Sequence, residues 1–469
     1  MRSRLGIGAG AAIGCCALAG TYSAFAQELA PRPSFLNLRY DEDWSLLRDP
    51  AHRSGAWDHL KYMPLGSRDG YYLSLGAEAR LRYERFENPG FGSEPQDPQG
   101  YYLQRILLHS DLHLGARARL FAQLESSLQA GRSGGPRPTD ENHLDLHQAF
   151  LDLTLGAPGA SLTLRVGRQE IEFGSSRLIS TRDGLNTRLA MDAVRALGSF
   201  GPWRASAHVF RPVLAVRGVF DDSRDRRRLL WGAYLARVDL APPATNAVLY
   251  YIALDRNAGR FDQGTAPERR HTLGFRLWGS RGAWDQNWEA AFQFGRFGTG
   301  SIRGWDIATD NGYTLRRTPG WPRVGLRLDV TSGDADRHEP KLGTFNALFP
   351  GTAYSGLAGQ IGPANAIDVA PSVSFRPTRR LGVTLGVMRF WRHRLDDGVY
   401  GIGINLLRPG NQSSARHIGD QATLQASYAV DPYLTFFVTA SYFRAGRFLH
   451  ETPPGEDVGY VSAWAAYRF

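Results

Sequence analysis

Arginine offers most of the chemistry in this sequence. It holds 53 arginines and only two lysines, Lys61 and Lys341. A guanidinium grips a carboxylate through two parallel bonds and keeps its charge at any physiological pH. In residues 73–83 the odd positions are apolar, and the even ones carry Glu78, Arg80 and Arg82. Alternate side chains of a strand point to opposite faces, so these three share one face. The same rule applied along the chain puts Arg105, Asp111, Arg117, Arg119, Glu125, Arg165, Arg276, Arg323, Arg327 and Asp329 on polar faces. Two arrangements satisfy this set, in which arginines outnumber acids nine to four. Around a water-filled passage with low-dielectric walls, they would focus a positive field and attract anions. Paired with carboxylates on neighbouring strands, they would instead lock the wall. Exposed arginine contacts of about 0–1 kcal/mol each would suit a sliding polyanion.

Other constellations are weaker. Asp334, Asp336 and Glu339 could offer oxygens to a cation, but the calcium-loop spacing is incomplete and a solvated loop explains them better. His143, Asp145 and His147 fall at i, i+2 and i+4, as metal ligands or simply as a polar strand face. There is no Gly-x-Ser-x-Gly elbow, His-Glu-x-x-His pair or phosphate loop. No catalytic residue, metal site or cofactor is expected, and the chain does not read as an enzyme.

The elements that must position the arginines are strands. Period two recurs at 117–124, 161–166, 272–277, 323–330, 380–387 and 423–428. Segments of about ten residues suffice to cross a bilayer at a tilt. Tight turns are expected at 115–116, 156–159, 201–202, 241–243, 280–282, 318–322, 376–377 and 431–432. Longer polar links fall at 87–100, 131–141, 174–188, 217–228, 255–268, 333–365 and 396–416. Short periplasmic turns alternating with long outer loops are the pattern of outer-membrane barrels. Residues 458–469 form one more alternating strand ending on Phe469, suited to pair with the first strand so that no edge faces lipid. The expected fold is all-β: a closed antiparallel transmembrane β-barrel of about 18 strands. Sixteen is the fallback, because the outer link near 298–304 is short.

Residues 1–26 carry a basic start, a short apolar run and an Ala24-x-Ala26 site, which read as a secretory signal peptide cleaved after Ala26. Both cysteines, Cys15 and Cys16, lie within it, leaving no disulfide or thiolate chemistry afterwards. Residues 27–69 read as a periplasmic segment that tucks against or into the barrel mouth, and 70–469 as the barrel. No later stretch reaches 18 apolar residues, which excludes spanning helices. A pI near 9.7 alone would suit nucleic acid, but a secreted chain without a basic helix argues against that partner. The long link 333–365 carries Phe345, Leu348, Phe349 and Tyr354, too apolar for a loop in water, so it is expected to fold inward and narrow the mouth.

Several stretches together resemble the alginate export family of Gram-negative outer membranes: 164–170 (LRVGRQE), 174–180, 186–195, 341–350 (KLGTFNALFP), 362–368, 390–392 and 41–45. The resemblance covers nearly all of the chain after residue 26. It implies a barrel of eighteen strands in the outer membrane and passive export of an anionic polyuronate through an arginine-lined pore. The arginines it would enlist are Arg80, Arg82, Arg105, Arg117, Arg119, Arg165, Arg276, Arg323 and Arg327. Implied partners are an anionic polysaccharide or small anions, outer-membrane lipid, and periplasmic export or biosynthesis proteins. The acids interleaved on the same faces depart from a purely basic pore. A general or anion-selective uptake porin of the same architecture is the alternative.

Overall fold

The computed structural model describes residues 33–157, 159–241, 245–351 and 358–469. The expected signal peptide, with Cys15 and Cys16, and Tyr354 of the long loop lie outside the described residues. Eighteen long strands follow one another: β1 (Tyr71–Glu87), β2 (Tyr101–Leu114), β3 (Ala118–Ala130), β4 (Asn142–Ala157), β5 (Ala160–Gln169) and β6 (Met191–Phe200). They continue with β7 (Trp203–Leu214), β8 (Arg228–Ala241), β9 (Thr245–Phe261), β10 (Gly264–Arg281), β11 (Trp284–Phe297) and β12 (Gly300–Thr314). The last six are β13 (Arg323–Thr331), β14 (Ala366–Phe375), β15 (Leu381–Arg392), β16 (His417–Ala429), β17 (Leu434–Ala445) and β18 (Val458–Arg468). Each pairs antiparallel with the next, and β18 returns to β1 with Glu78 opposite Arg468 and Glu87 opposite Gly459. The barrel is therefore closed, with eighteen strands.

Closure satisfies every strand edge internally, which lipid requires because it offers no hydrogen bonds. The outward positions are apolar and exposed, as at Leu81, Leu108, Leu120, Leu249, Phe292, Ile307, Leu385 and Val438. Trp203, Trp284, Tyr313 and Trp321 cluster beside the short turns, as an interfacial aromatic girdle does. That end carries the start of β1 and the end of β18 and is the periplasmic one.

The expected strict alternation of short and long links fails at two places. The polar stretch 255–268 is not a loop. β9 and β10 run through it, with only Asp262 and Gln263 between them. It looked like a loop because its charges do not alternate with apolar residues. There the hairpin has risen above the bilayer, and its charges pair across strands instead: Arg269 with Asp255 at 2.6 Å, and Arg256 with Glu268. β11 and β12 likewise join through Gly298 and Thr299 alone, Gly298 adopting φ +56° to make the turn. The short outer link thus does not reduce the strand count.

Phe469 continues the closing seam, exchanging backbone hydrogen bonds with Ala77 at 3.0 and 3.1 Å. Its ring stacks on Trp57 at 4.5 Å, and Arg39 donates to its carbonyl at 2.8 Å. Deleting Phe469 removes all three contacts at once. We expect it to lower the yield of folded barrel, seen as loss of the unboiled gel-shifted band; full recovery of that band would refute the role of this residue in closure.

Candidate functional site: a filled lumen

The lumen is occupied by the protein's own chain. The lead-in segment enters from the periplasmic end, where Tyr40 lies edge-on to the inward rings of Phe121 and Phe150 at 5.9 and 5.2 Å. Tyr40 donates its hydroxyl to the Glu170 carbonyl at 2.7 Å, and Asn37 donates to Thr181 at 3.2 Å. Residues 170–190, the link between β5 and β6, fold inward to meet it. The link 332–365 comes in from β13. Its Phe349 bridges Ile179 in parallel fashion and donates its N–H to the Leu178 carbonyl at 2.8 Å. Phe345, Leu348 and Phe349 are buried there, so this loop does fold inward.

These insertions explain a departure from simple barrel logic. Inward positions of β7 to β9, such as Phe210, Leu230, Val248, Ile252 and Leu254, are apolar and buried with Phe173, Ile179 and Phe345. A lumen face covered by a loop no longer meets water, so apolar residues are favoured there as in any core. Inside-polar and outside-apolar holds only where the lumen stays wet.

The arginines expected at the pore are placed as follows. Arg80 donates to the carbonyls of Asp183 and Leu185 at 2.8 and 2.6 Å, and Arg82 to that of Gly184 at 2.7 Å. Arg82 also lies 3.2 Å from Glu84. Arg105, fully buried, binds Glu78 and Asp183, each at 2.6 Å. These three therefore converge on the tip of the inward loop. Arg119 holds Asp111 with two bonds at 2.6 and 2.7 Å and donates to the Tyr40 carbonyl. Arg165 is bidentate to Asp152 at 2.7 and 2.8 Å beneath the Tyr40 ring. Arg276 donates to Asn287 at 2.7 Å and lies over Trp278. Near the periplasmic end Arg323 pairs with Asp285 and Asp310, while Arg327 sits 3.5 Å from Asp368 and 3.6 Å from Asp329. Arg117 is different: it lies exposed in the turn 115–117, one residue before β3 begins, so it is not on the strand face assigned to it.

The wall is thus largely an ion-paired lattice, as in the second of the two arrangements above. The sequence reading missed its key members, which sit on loops without periodicity. Arg177, almost completely buried, reaches from the inward loop to Asp306 on β12 at 2.7 Å and Asp329 on β13 at 2.9 Å. Arg188 clasps Glu170 and Asp183. Burial works against the Arg188 charge, but those two carboxylates outweigh it and push the guanidinium up; the same arginine company holds Asp183 well below the usual carboxylate range against its own burial. The available signal was the charge carried by this loop, Arg177, Arg182, Asp183 and Arg188 among small and apolar residues.

Across the lumen, β14 to β18 present mostly neutral residues between the charged Asp368, Arg392 and Arg468. Ser372, Ser374, Thr384, Thr423, Gln425 and Thr435 are partly exposed on the inward face, next to Phe437 and Trp464 stacked at 4.8 Å. This is the least covered part of the wall.

The other candidate clusters do not assemble as metal sites. His147 is held between Glu125 and Glu170 at 2.8 and 2.9 Å, whereas His143 is exposed. Asp145 instead approaches Asp221 and Asp222, with Arg168 3.5 Å away. Asp334, Asp336 and Glu339 are engaged separately, by the Gly343 amide, the His338 amide and Lys341.

Asp334 makes the long loop pH-sensitive. Burial, and then the nearby Asp397 carboxylate, raise it to about 6. A raised acid favours the docked loop when protonated. That contribution is complete below about pH 4, the ordinary aspartate range, and is lost as pH rises through 6. Single-channel recordings should show longer closed dwells at pH 5 than at pH 7.5, and Asp334→Asn should flatten the difference.

A closed eighteen-stranded barrel with an apolar outer band and inward loops defines the class: an outer-membrane channel. A sequence profile of the Alginate export family matches residues 71–461. The chain belongs to that family. No curated protein matches the sequence. Among solved structures it is similar to OccK11 (OpdR) of Pseudomonas aeruginosa, with TM-score 0.56 and 12% identity over 87% of this chain and 99% of that one. A BenF-like porin from Pseudomonas fluorescens Pf-5 gives 0.57 and 10% over 85% and 98%. OccK2 (OpdF) of Pseudomonas aeruginosa, solved with glucuronate, gives 0.55 and 10% over 88% and 98%. At such identities the likeness is one of fold.

Proposed function

We propose that this protein passively conducts carboxylated sugars across the outer membrane, an alginate-like polyuronate being the polymeric case. The observation that carries the reading is the state of Arg80 and Arg82. Their terminal nitrogens end on neutral carbonyls of residues 183–185. Unlike Arg119 and Arg165, Arg80 is not matched to a carboxylate of its own among the described residues, so its charge remains available to a passing anion when the loop tip shifts. Arg105 and Arg188 stand beside it; Arg165, Arg276, Arg323 and Arg327 hold the frame. Family membership supports a polyuronate, and the glucuronate recorded with OccK2 supports a uronate unit in a barrel of this shape.

One observation favours small anions over a polymer. Three chain segments fill the lumen, so a polysaccharide passes only once residues 170–190 move, whereas a monomer needs only the neutral side of β14 to β18. The test is the reversal potential across a salt gradient, for the parent and for Arg80→Ala/Arg82→Ala. The parent should prefer anions and the variant should lose most of that preference. An unselective parent, or a variant as selective as the parent, would reduce both arginines to scaffold and overturn the reading.

A further inference from the structure

The outer surface of the barrel carries a cluster of arginines that the lumen does not use. Arg269 on β10 lies directly opposite Arg296 on β11. Arg303 on β12 lies opposite Phe294, two residues from Arg296 on the same face. All three point away from the lumen and are exposed. Like charges directly opposite each other on a sheet destabilise it, and diagonal neighbours about 7–8 Å apart still interact. At two other places on the outer rim such charges are matched: Arg389 pairs with Asp420 at 2.5 Å, and Arg168 with Asp192 at 2.9 Å. Here a single carboxylate, Asp255, serves Arg269. Neither Arg296 nor Arg303 has a carboxylate within salt-bridge distance among the described residues.

The height of the cluster identifies the counter-ion. Trp284 and Tyr313 lie opposite each other beside the periplasmic turns. Ten residues separate Trp284 from Phe294 on β11, and ten separate Tyr313 from Arg303 on β12. At about 3.3 Å per residue and the usual tilt, ten residues rise roughly 25 Å, the height of the apolar band. Leu273, Phe292 and Ile307 fill that band, and Trp231, Tyr251, His271 and Phe294 crown it. The three guanidinium groups therefore sit at the outer headgroup level, where the anions within reach are lipid phosphates.

We infer that Arg269, Arg296 and Arg303 form a binding site for the phosphate groups of an outer-leaflet glycolipid. The planar guanidinium suits phosphate oxygens, and the aromatic crown beneath gives the acyl chains a surface to lie on. The site is independent of what passes through the lumen. It can be tested on the full-length folded barrel in detergent, by native mass spectrometry with an acylated glucosamine disaccharide bearing two phosphates. The same lipid without phosphates and inorganic phosphate alone are the comparison arms. The parent should retain the phosphorylated lipid, and Arg296→Gln/Arg303→Gln should hold it at least about ten-fold more weakly, the size of one lost charge-assisted contact. Both side chains are exposed and lack carboxylate partners, so the variant should fold; if it does not, Arg303→Gln alone and the comparison of the two lipids on the parent decide. Equal retention of the phosphate-free lipid, or undiminished retention by the variants, overturns the inference. Displacement of the lipid by an equal concentration of inorganic phosphate would show a free-anion site instead and overturn it as well.

Discussion

Arg177→Ala should open the channel. This side chain ties the inward loop to the far wall through two carboxylates, Asp306 and Asp329, and it is almost entirely buried. Removing one member of a buried pair costs about 3–5 kcal/mol, because the remaining charges stay desolvated without a partner. Here Asp306 would be stranded, and Asp329 would keep only the more distant Arg327 at 3.6 Å. The ratio of docked to released loop should fall by roughly two to three orders of magnitude, enough to convert a mostly closed lumen to an open one. Single-channel conductance should rise and flicker closures should shorten. The triple variant Arg177→Ala/Asp306→Asn/Asp329→Asn neutralises both acids and should recover part of the docking. Unchanged conductance in Arg177→Ala would mean that the loop is held by its apolar contacts with Phe349 and its neighbours.

Glu78→Ala should weaken the barrel itself. Glu78 is buried at the seam, accepting from Arg105 of β2 at 2.6 and 3.2 Å and from Arg468 of β18 at 2.8 Å. It therefore ties three strands across the point of closure. Its loss leaves fully buried Arg105 with Asp183 as its one remaining ion-pair partner among the described residues, and a cost of about 3–5 kcal/mol is again expected. Urea unfolding followed by tryptophan fluorescence should shift to a clearly lower midpoint. Glu78→Gln keeps an acceptor and should lose less. Glu78→Ala/Arg105→Met removes both charges and should recover part of the loss. Equal midpoints for the parent and Glu78→Ala would show that the backbone ladder between β1 and β18 closes the barrel without this pair.

Most of the architecture was legible in the sequence, because a membrane imposes a local rule. Each strand must show lipid an apolar face, so period two at Leu73, Leu75, Leu81 and their counterparts reports both strand and side. Turn residues then placed the short connections correctly, from Gly115 to Asp431. The rule lapses where the membrane does. At 255–268 the hairpin leaves the bilayer, its residues no longer alternate, and extended strands read as a loop.

The lumen was only half legible. Arg80, Arg82, Arg105, Arg119 and Arg165 were correctly sent inward by parity, since pleating fixes side-chain direction along a strand. What each arginine does there depends on partners far away in sequence. Arg80 meets Asp183, Arg105 meets both Glu78 and Asp183, and Arg177 meets Asp306 and Asp329. No periodicity announces these contacts, because loops 170–190 and 332–365 fold by packing rather than by alternation. The sequence by itself determined that the chain closes into a barrel and, Arg117 apart, which strand arginines face its interior. Only the tertiary structure decided that this interior is filled, because long-range burial and charge pairing set which of those residues still meet water.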